Sequence, residues 1–516
     1  MPWEDKVPRG ALGWRNLLLW ALLAALAVVA YRAAAAVLYR VGFPLDDAWI
    51  HQTYARNLAS GLGWVYRAPD FGRGGATAPL WVLLLAWGHL LGLSPGLWVS
   101  LWGWALLTAL AGFAASWPGF EGRWRAAAAL AVLGQWHLVW AAVSGMETLA
   151  FTLTVFVGLW ALVHPRPRWG WAAFALAAGL WLRPEAVLLT PLAGLRAWSS
   201  RAWRERSWWG FVVVVGGAVL GYGAFHVVRT GAWGPTTGLA KMHEYAVLRQ
   251  APFGVRWVRV WLPVLVGPGA WALAGIFWAV FAALVRIARV LLRASVRREA
   301  LIHNAKAWGP RPSLWMPLLW LILHSALYAW RLPVTYQHGR YMMPVLPALT
   351  VAGVLAWQRV AAAWSGAWQR RGMFALTSLA VLGGVGFLVL GARAYAWDVA
   401  FIESEMVDTA HWVAGHLPPD AVVAAHDIGA LGYYAPQPLA DLAGLLDPEV
   451  IPMVRDEAAL ARYLQARDAA YLVTFPGWYA DLDRCSVELF VTRAPYAPAL
   501  GGENMVVYAW QPCPTR

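Results

Sequence analysis

Asn16-Leu-Leu-Leu-Trp-Ala-Leu-Leu-Ala-Ala-Leu-Ala-Val-Val-Ala-Tyr-Arg-Ala-Ala-Ala-Ala-Val-Leu38 contains a single charged residue, Arg32. As a helix this run is long enough to cross the hydrocarbon layer of a bilayer. Arg32 lies late in it and can snorkel towards the outer interface. Lys6, Arg9 and Arg15 precede the run, which places the N-terminus on the cytoplasmic side. No small-residue cleavage site with a soluble chain behind it follows, so the segment reads as a retained anchor.

Similar runs recur along most of the 516 residues. The chain is 60% hydrophobic and only 13% charged, against about 25% charged in a soluble protein. Its mean hydropathy is +0.51. Lipid is therefore the solvent for most of the chain. The net charge of +14 does not indicate a nucleic-acid partner, because the basic residues fall in short clusters between apolar runs, where they set topology. The 38 tryptophans suit a protein with much interfacial surface.

Outward from the first span, residues 40–78 form an outer loop containing Leu45-Asp-Asp-Ala-Trp-Ile-His-Gln-Thr-Tyr-Ala-Arg-Asn-Leu-Ala59. Pro79–Leu93 is apolar but short, with the length of an interfacial or re-entrant helix. Leu97–Trp117 crosses to Arg123 and Arg125, and Ala126–Val143 returns to bring Ser144-Gly-Met-Glu-Thr148 to the outer face. Leu149–Val163 leads to the basic cluster His164-Pro-Arg-Pro-Arg168. Basic residues flank 170–195 at both ends, so two short helices with Arg183-Pro-Glu185 at the outer turn satisfy the charge rule better than one span.

Ser207–Val228 leads to an outer loop containing Gly234-Pro-Thr-Thr-Gly-Leu-Ala-Lys-Met-His-Glu-Tyr245. Residues near 260–285 cross back to Arg286, Arg289, Arg293, Arg297 and Arg298. Ser313–Trp330 precedes the outer segment Arg331-Leu-Pro-Val-Thr-Tyr-Gln-His-Gly-Arg340. Tyr341–Trp357 returns to Arg359, Arg370 and Arg371, and 373–396 exits again. The positive-inside rule then expects roughly eleven crossings and an extracytoplasmic tail.

The expected division is a transmembrane domain over 1–397 and an outer α/β domain over 398–516. The tail gains acidic residues and loses long apolar runs. Asp398–His416 reads as an amphipathic helix, Val422–His426 and Tyr471–Phe475 as strands, and Asp456–Arg467 as a helix. Cys485 and Cys513 both lie in this tail; outside the cytoplasm a disulfide between them is plausible.

In this topology the unusual polar residues share one face: Asp46/Asp47, Glu147, Arg183/Glu185, Lys241/His243, His338/Arg340 and His426/Asp427. Ionisable groups at membrane depth are expensive, so their convergence points to a polar site there.

These residues also carry a resemblance. The Asp-Asp pair and the helix behind it resemble the polytopic C-type glycosyltransferases. So do Ser144-Gly-Met-Glu-Thr148, Arg183-Pro-Glu185, Gly339-Arg-Tyr-Met-Met-Pro344, His426-Asp-Ile-Gly-Ala-Leu-Gly-Tyr-Tyr434 and Asp441-Leu-Ala-Gly-Leu-Leu-Asp-Pro448. The look is nearest to bacterial arabinofuranosyltransferase-like and mannosyltransferase-like membrane proteins of the cell envelope. Oligosaccharyltransferases, protein mannosyltransferases and aminoarabinose transferases look more distant.

The resemblance implies a multi-pass enzyme of the plasma (inner) membrane. It would move a sugar from a polyprenyl-phosphate donor to an extracytoplasmic glycan, lipid or protein acceptor, with inversion. It implies a carboxylate base in the first outer loop, Asp47 first and Asp46 second. A base takes the proton of the acceptor hydroxyl as that oxygen attacks the anomeric carbon. The leaving phosphate is a stable anion that cations can hold; Arg183, Arg340, Lys241 and His338 are the candidates. Glu147, Glu185, His243, His426 and Asp427 are candidates for acceptor contact or for supporting the site.

Plainer roles stand beside these. Asp46 or Asp47 could cap the helix from Ala48, Glu147 could pair with Arg183, and Arg340 could snorkel. Trp49 and Trp64 could pack or stack on a sugar. No cofactor is certain: around Glu147 no Asp-x-Asp spacing occurs, and a divalent cation there stays open. The competing function is a lipid or polysaccharide flippase, which would more often show two related halves.

Overall fold

The structure, a computed structural model, describes residues 14–67, 74–292, 312–363 and 366–513. Lys6 and Arg9 of the first basic cluster, and Arg293, Arg297 and Arg298 of a later one, lie outside the described residues. Without water to bond to, a backbone in lipid bonds within its own segment, and each long apolar run is accordingly helical. In the first helix, Trp14–Leu38, Trp20, Ala24, Val28, Tyr31 and Ala35 form the buried stripe. Leu18, Leu22, Leu26 and Val29 stay exposed on the other side, the face such a helix turns to lipid.

Among the described residues six helices are long and apolar enough to cross a membrane, or up to eight if each bent pair counts as one span. Three further apolar helices are shorter: Pro79–Leu90, Thr148–Val163 and Trp169–Leu182. The helix Trp169–Leu182 is followed by the single turn Pro184–Leu188 and the helix Leu189–Ser200.

The segment expected to cross near 260–285 is not one straight helix. Phe253–Leu265 and Pro268–Phe281 meet at 116°. Gly267 there has a φ of +119°, a conformation open mainly to glycine, and Pro268 has no N–H to continue the first helix. The helices Arg123–Leu133 and Trp136–Val143 also meet at a bend, of 54°.

The last long helix, Ala367–Ile402, does not stop at the expected boundary. It runs on through a π turn, Glu403–Val407, into Asp408–His416. Beyond it lies a five-stranded sheet: β1 Val422–Ala425, β2 Leu439–Asp441, β3 Ala469–Thr474, β4 Val487–Val491 and β5 Val506–Ala509, in the order β2-β1-β3-β5-β4. β1 is parallel to β2 and β3, and the β3–β5 and β5–β4 pairs are antiparallel. The helix Glu457–Ala466, capped by Asp456 on the Ala459 N–H, packs Leu460 and Leu464 against Leu472 and Tyr508. Cys485 and Cys513 are joined in a disulfide.

The tail grips the first loop through one short helix, Gly429–Tyr434. The Asp46 carboxylate accepts the N–H groups of Gly429 at 2.6 Å and Ala430 at 2.8 Å. At the other end Arg56 donates to the Tyr433 carbonyl at 2.6 Å, and Arg67 donates to that of Ala435. The Trp49 ring lies 4.9 Å from both Tyr433 and Tyr434. Acid at the N-terminal end and cations at the C-terminal end match the charges that a helix leaves on its free N–H and C=O groups.

Candidate active site

The helix Asp47–Ala59 starts beside the floor of a cavity of about 130 Å³. Asp47, Glu147, Arg183, Glu185, Lys241 and Arg340 all line it. Asp47 Oδ2 accepts from Lys241 Nζ at 3.0 Å and from Arg340 Nη2 at 2.6 Å. Burial alone would push this carboxyl up. The two cations reverse that and hold Asp47 well below the usual carboxylate range, so it is ionised at any ordinary pH. Lys241, which burial would discharge, is kept charged by Asp47 in turn.

The second cluster is built around Arg183. Its guanidinium donates to Glu147 at 2.8 Å, to Glu185 at 3.0 Å and to the Tyr328 hydroxyl at 2.9 Å. Tyr341 joins the two clusters. The Arg183 and Arg340 guanidiniums lie 5.1 and 5.0 Å from its ring, and its hydroxyl accepts from Arg340 at 3.2 Å and Lys241 at 3.4 Å. Three basic arms therefore converge on one phenol, Arg340 from the adjacent position and Arg183 and Lys241 from elements distant in sequence.

Local backbone explains how Arg340 reaches inward. Gln337, His338 and Gly339 have φ values of 54°, 57° and 69°, three consecutive left-handed residues, two of them not glycine. This conformation is costly. It turns the chain so that Arg340 is 3% exposed rather than snorkelling to water.

The remaining candidates sit elsewhere. Asp46 is buried below the cavity, committed to the tail, and makes no side-chain bond to cap its own helix. His338 turns from the cavity to bond Asp398 at 2.7 Å, between the edges of Trp136 and Trp140. His243 is exposed and does not line the cavity. His426 accepts from or donates to the Tyr479 hydroxyl at 2.7 Å and lies 3.7 Å from Glu244. Its neighbour Asp427 is pushed up to about 7 by burial, then by the Asp47 and Glu244 carboxylates. Trp49 is packed among Phe43, Tyr433 and Tyr434.

Sequence reasoning passed over Tyr341, Tyr328 and His51. His51 carried a signal: it stands one helical turn after Asp47, on the same face. Burial keeps its imidazole below its ordinary value, and its Nε2 lies 3.7 Å from Glu147. Tyr341 directly follows Arg340, whereas nothing in the span around Tyr328 marks it. No group of three His, Cys, Asp or Glu that could hold a metal ion occurs among the described residues. The divalent cation considered at Glu147 thus meets a pair there, Glu147 and His51.

A family model described as a domain of unknown function (DUF8728) matches residues 396–508. No curated protein matches the sequence. The crystal structure of ArnT from Cupriavidus metallidurans bound to undecaprenyl phosphate is similar at a TM-score of 0.55 and 17% identity, over 96% of this chain and 98% of that one. The apo oligosaccharyltransferase of Archaeoglobus fulgidus is similar at a TM-score of 0.51 and 11% identity, over 89% of this chain and 69% of the other. At these identities the likeness is one of fold. The chain has the C-type glycosyltransferase fold that its scattered motifs suggested.

Proposed function

We propose that this protein is an integral-membrane glycosyltransferase that uses a polyprenyl-phosphate sugar, with Asp47 as the base. The observation that carries the reading is the pairing of one ionised carboxylate with Lys241 and Arg340 in a cavity that also holds Arg183. Asp47 accepts the proton of an acceptor hydroxyl as that oxygen forms its bond to the anomeric carbon. The bond from that carbon to the phosphate oxygen breaks on the opposite face, and the configuration inverts. Lys241, Arg340 and Arg183 receive the phosphate, whose charge needs no proton.

The same pairing supplies a switch. Paired with Lys241 and Arg340, Asp47 is neutralised and is a weak base. A donor phosphate competes for both cations, and each contact it takes leaves Asp47 more basic. The enzyme would lie in the plasma membrane, with the cavity and the tail outside. Residues 398–516 would select or cover the acceptor, with His426 and Asp427 at that junction and His243 and Glu185 as supporting groups. The sugar is a pentose or a hexose, and the acceptor a glycan, lipid or protein.

Asp47→Asn tests the assignment in liposomes with polyprenyl-phosphate arabinofuranose or mannose. Loss of a general base costs roughly 10²–10⁴-fold in rate, so kcat should fall by that order. Binding of the lipid phosphate should be kept or tightened, because the competing carboxylate charge is gone. Full transfer by the variant would remove Asp47 from the role. Lipid movement across the bilayer without transfer would favour the flippase reading instead.

A further inference from the structure

A second, smaller cavity opens beside the first, and the two share Gly75, Thr77, Pro235 and Thr237 in their walls. Three polar side chains line it without a hydrogen-bond partner among the described residues: His226 at Nε2, and Thr236 and Thr237 at Oγ1. They are 3%, 5% and 7% exposed. Buried polar atoms are nearly always paired, and leaving three unpaired in one place is costly. The space is about 10 Å³, enough for one water or one hydroxyl. A hydroxyl donates one hydrogen bond and accepts two, which matches one imidazole nitrogen and two threonine hydroxyls.

Position indicates which hydroxyl. Thr237 stands one helical turn before Lys241 on the helix Thr236–Glu244, an axial offset of about 6 Å. Lys241 bonds Asp47. A group at Thr237 is therefore separated from the reacting end by the width of one sugar ring. Glycine lets the wall between the two cavities pack closely: a Cβ on Gly74 would lie 2.3 Å from the Leu445 carbonyl oxygen and 3.1 Å from Thr236 Oγ1, and one on Gly75 would lie 2.8 Å from Leu446 Cδ2 and 3.0 Å from the Tyr54 hydroxyl. Trp64 and Phe225, in edge contact at 5.2 Å, form an apolar wall. A methylene can lie against that wall while its hydroxyl reaches the three polar atoms.

We infer that this side cavity seats the exocyclic hydroxymethyl group of the donor sugar, an assignment that rests on the transferase reading above. The donor class is then a sugar bearing a primary hydroxyl outside the ring.

The test uses the full-length protein in liposomes with two donor pairs. These are polyprenyl-phosphate arabinofuranose with its 5-deoxy counterpart, and polyprenyl-phosphate mannose with its 6-deoxy counterpart. For whichever sugar is transferred, kcat/KM for the hydroxylated donor should exceed that of the deoxy donor by roughly tenfold or more. Thr237→Val, and independently Thr236→Val, should bring that ratio towards one; two near-isosteric variants keep the test decisive if one fails to fold. Equal use of both members by the wild-type protein, as when only a water occupies the cavity, would overturn the assignment while leaving the transferase reading intact. So would an unchanged ratio in both variants. No transfer from either pair would overturn the transferase reading and this assignment with it.

Discussion

Asp46 and Asp47 differ by one step along the chain, and that step changes what each carboxylate can do. Asp47 faces two cations in the cavity, whereas Asp46 accepts two backbone N–H groups from the tail. Burial, and then Asp427, push Asp46 up, and Asp427 is itself raised to about 7. An unfolded aspartate titrates near 3.9. Because the folded value is higher, the linked stability is fully present below about pH 4 and is lost as pH rises through about 7. Thermal unfolding of the wild-type protein in detergent should therefore show a melting temperature that declines between about pH 4 and 7. Asp427→Asn, which cannot ionise, should flatten that decline; parallel profiles for the two proteins would contradict the placement of this charge. At this scale the sequence was a good guide to which charged residues gather at the cavity, because a charge inside an apolar protein stands out. It was a poorer guide to partners. Arg183 bonds Glu147, Glu185 and Tyr328, and Tyr341 links both clusters; the Tyr328 and Lys241 contacts join residues 145 and 100 positions apart.

The elements were legible where length and composition decide them. A long apolar run in lipid has one low-energy conformation, so the helices fell close to where hydropathy placed them. Breaks were harder, although Val266-Gly-Pro-Gly269 carried a turn signal inside the averaged apolar stretch. Asp398 read as the start of a new domain; it lies inside a continuous helix, where Trp140 and His338 bond it. β2 is only three residues long, and β4 is largely exposed, so neither shows an alternating pattern. The contact that matters most among elements is the seat of the helix Gly429–Tyr434 on the first loop. A Cβ at Gly429 would lie 2.0 Å from the Asp46 carbonyl oxygen, a backbone atom that cannot step aside. Gly429→Ala should destabilise the protein by about 1–3 kcal/mol, as overpacking does, and should lower transfer by disturbing the residue next to Asp47. Gly415→Ala in the same tail meets nothing within 4 Å and should be neutral or slightly stabilising. Melting curves and transfer rates measured side by side decide the matter; matching behaviour of the two variants would remove the tail helix as a positioning element.

For the whole molecule, the Asp46–Gly429 contact has a topological consequence: the tail and Asp47 lie on the same side of the membrane, so locating one locates the other. The charge rule predicts that this side is the outer one. The disulfide between Cys485 and Cys513 closes a loop with a sequence separation of 28. Such bonds persist in oxidising compartments, and one of this length stabilises by about 3.5 kcal/mol in the chain-entropy account. The chain has only these two cysteines, which makes a clean labelling experiment possible. In sealed right-side-out vesicles a membrane-impermeant maleimide should leave the protein unlabelled, and should label it once a membrane-impermeant reductant has opened the bond. The same reduction should lower the melting temperature of the purified protein. A cysteine placed at exposed Glu121, in a protein with both natural cysteines replaced by serine, sits by Arg123 and Arg125 on the expected cytoplasmic side. It should react only after the vesicles are permeabilised. If instead the tail cysteines required permeabilisation and the Glu121→Cys protein did not, the cavity would open to the cytoplasm. The donor and acceptor would then have to be sought on that side.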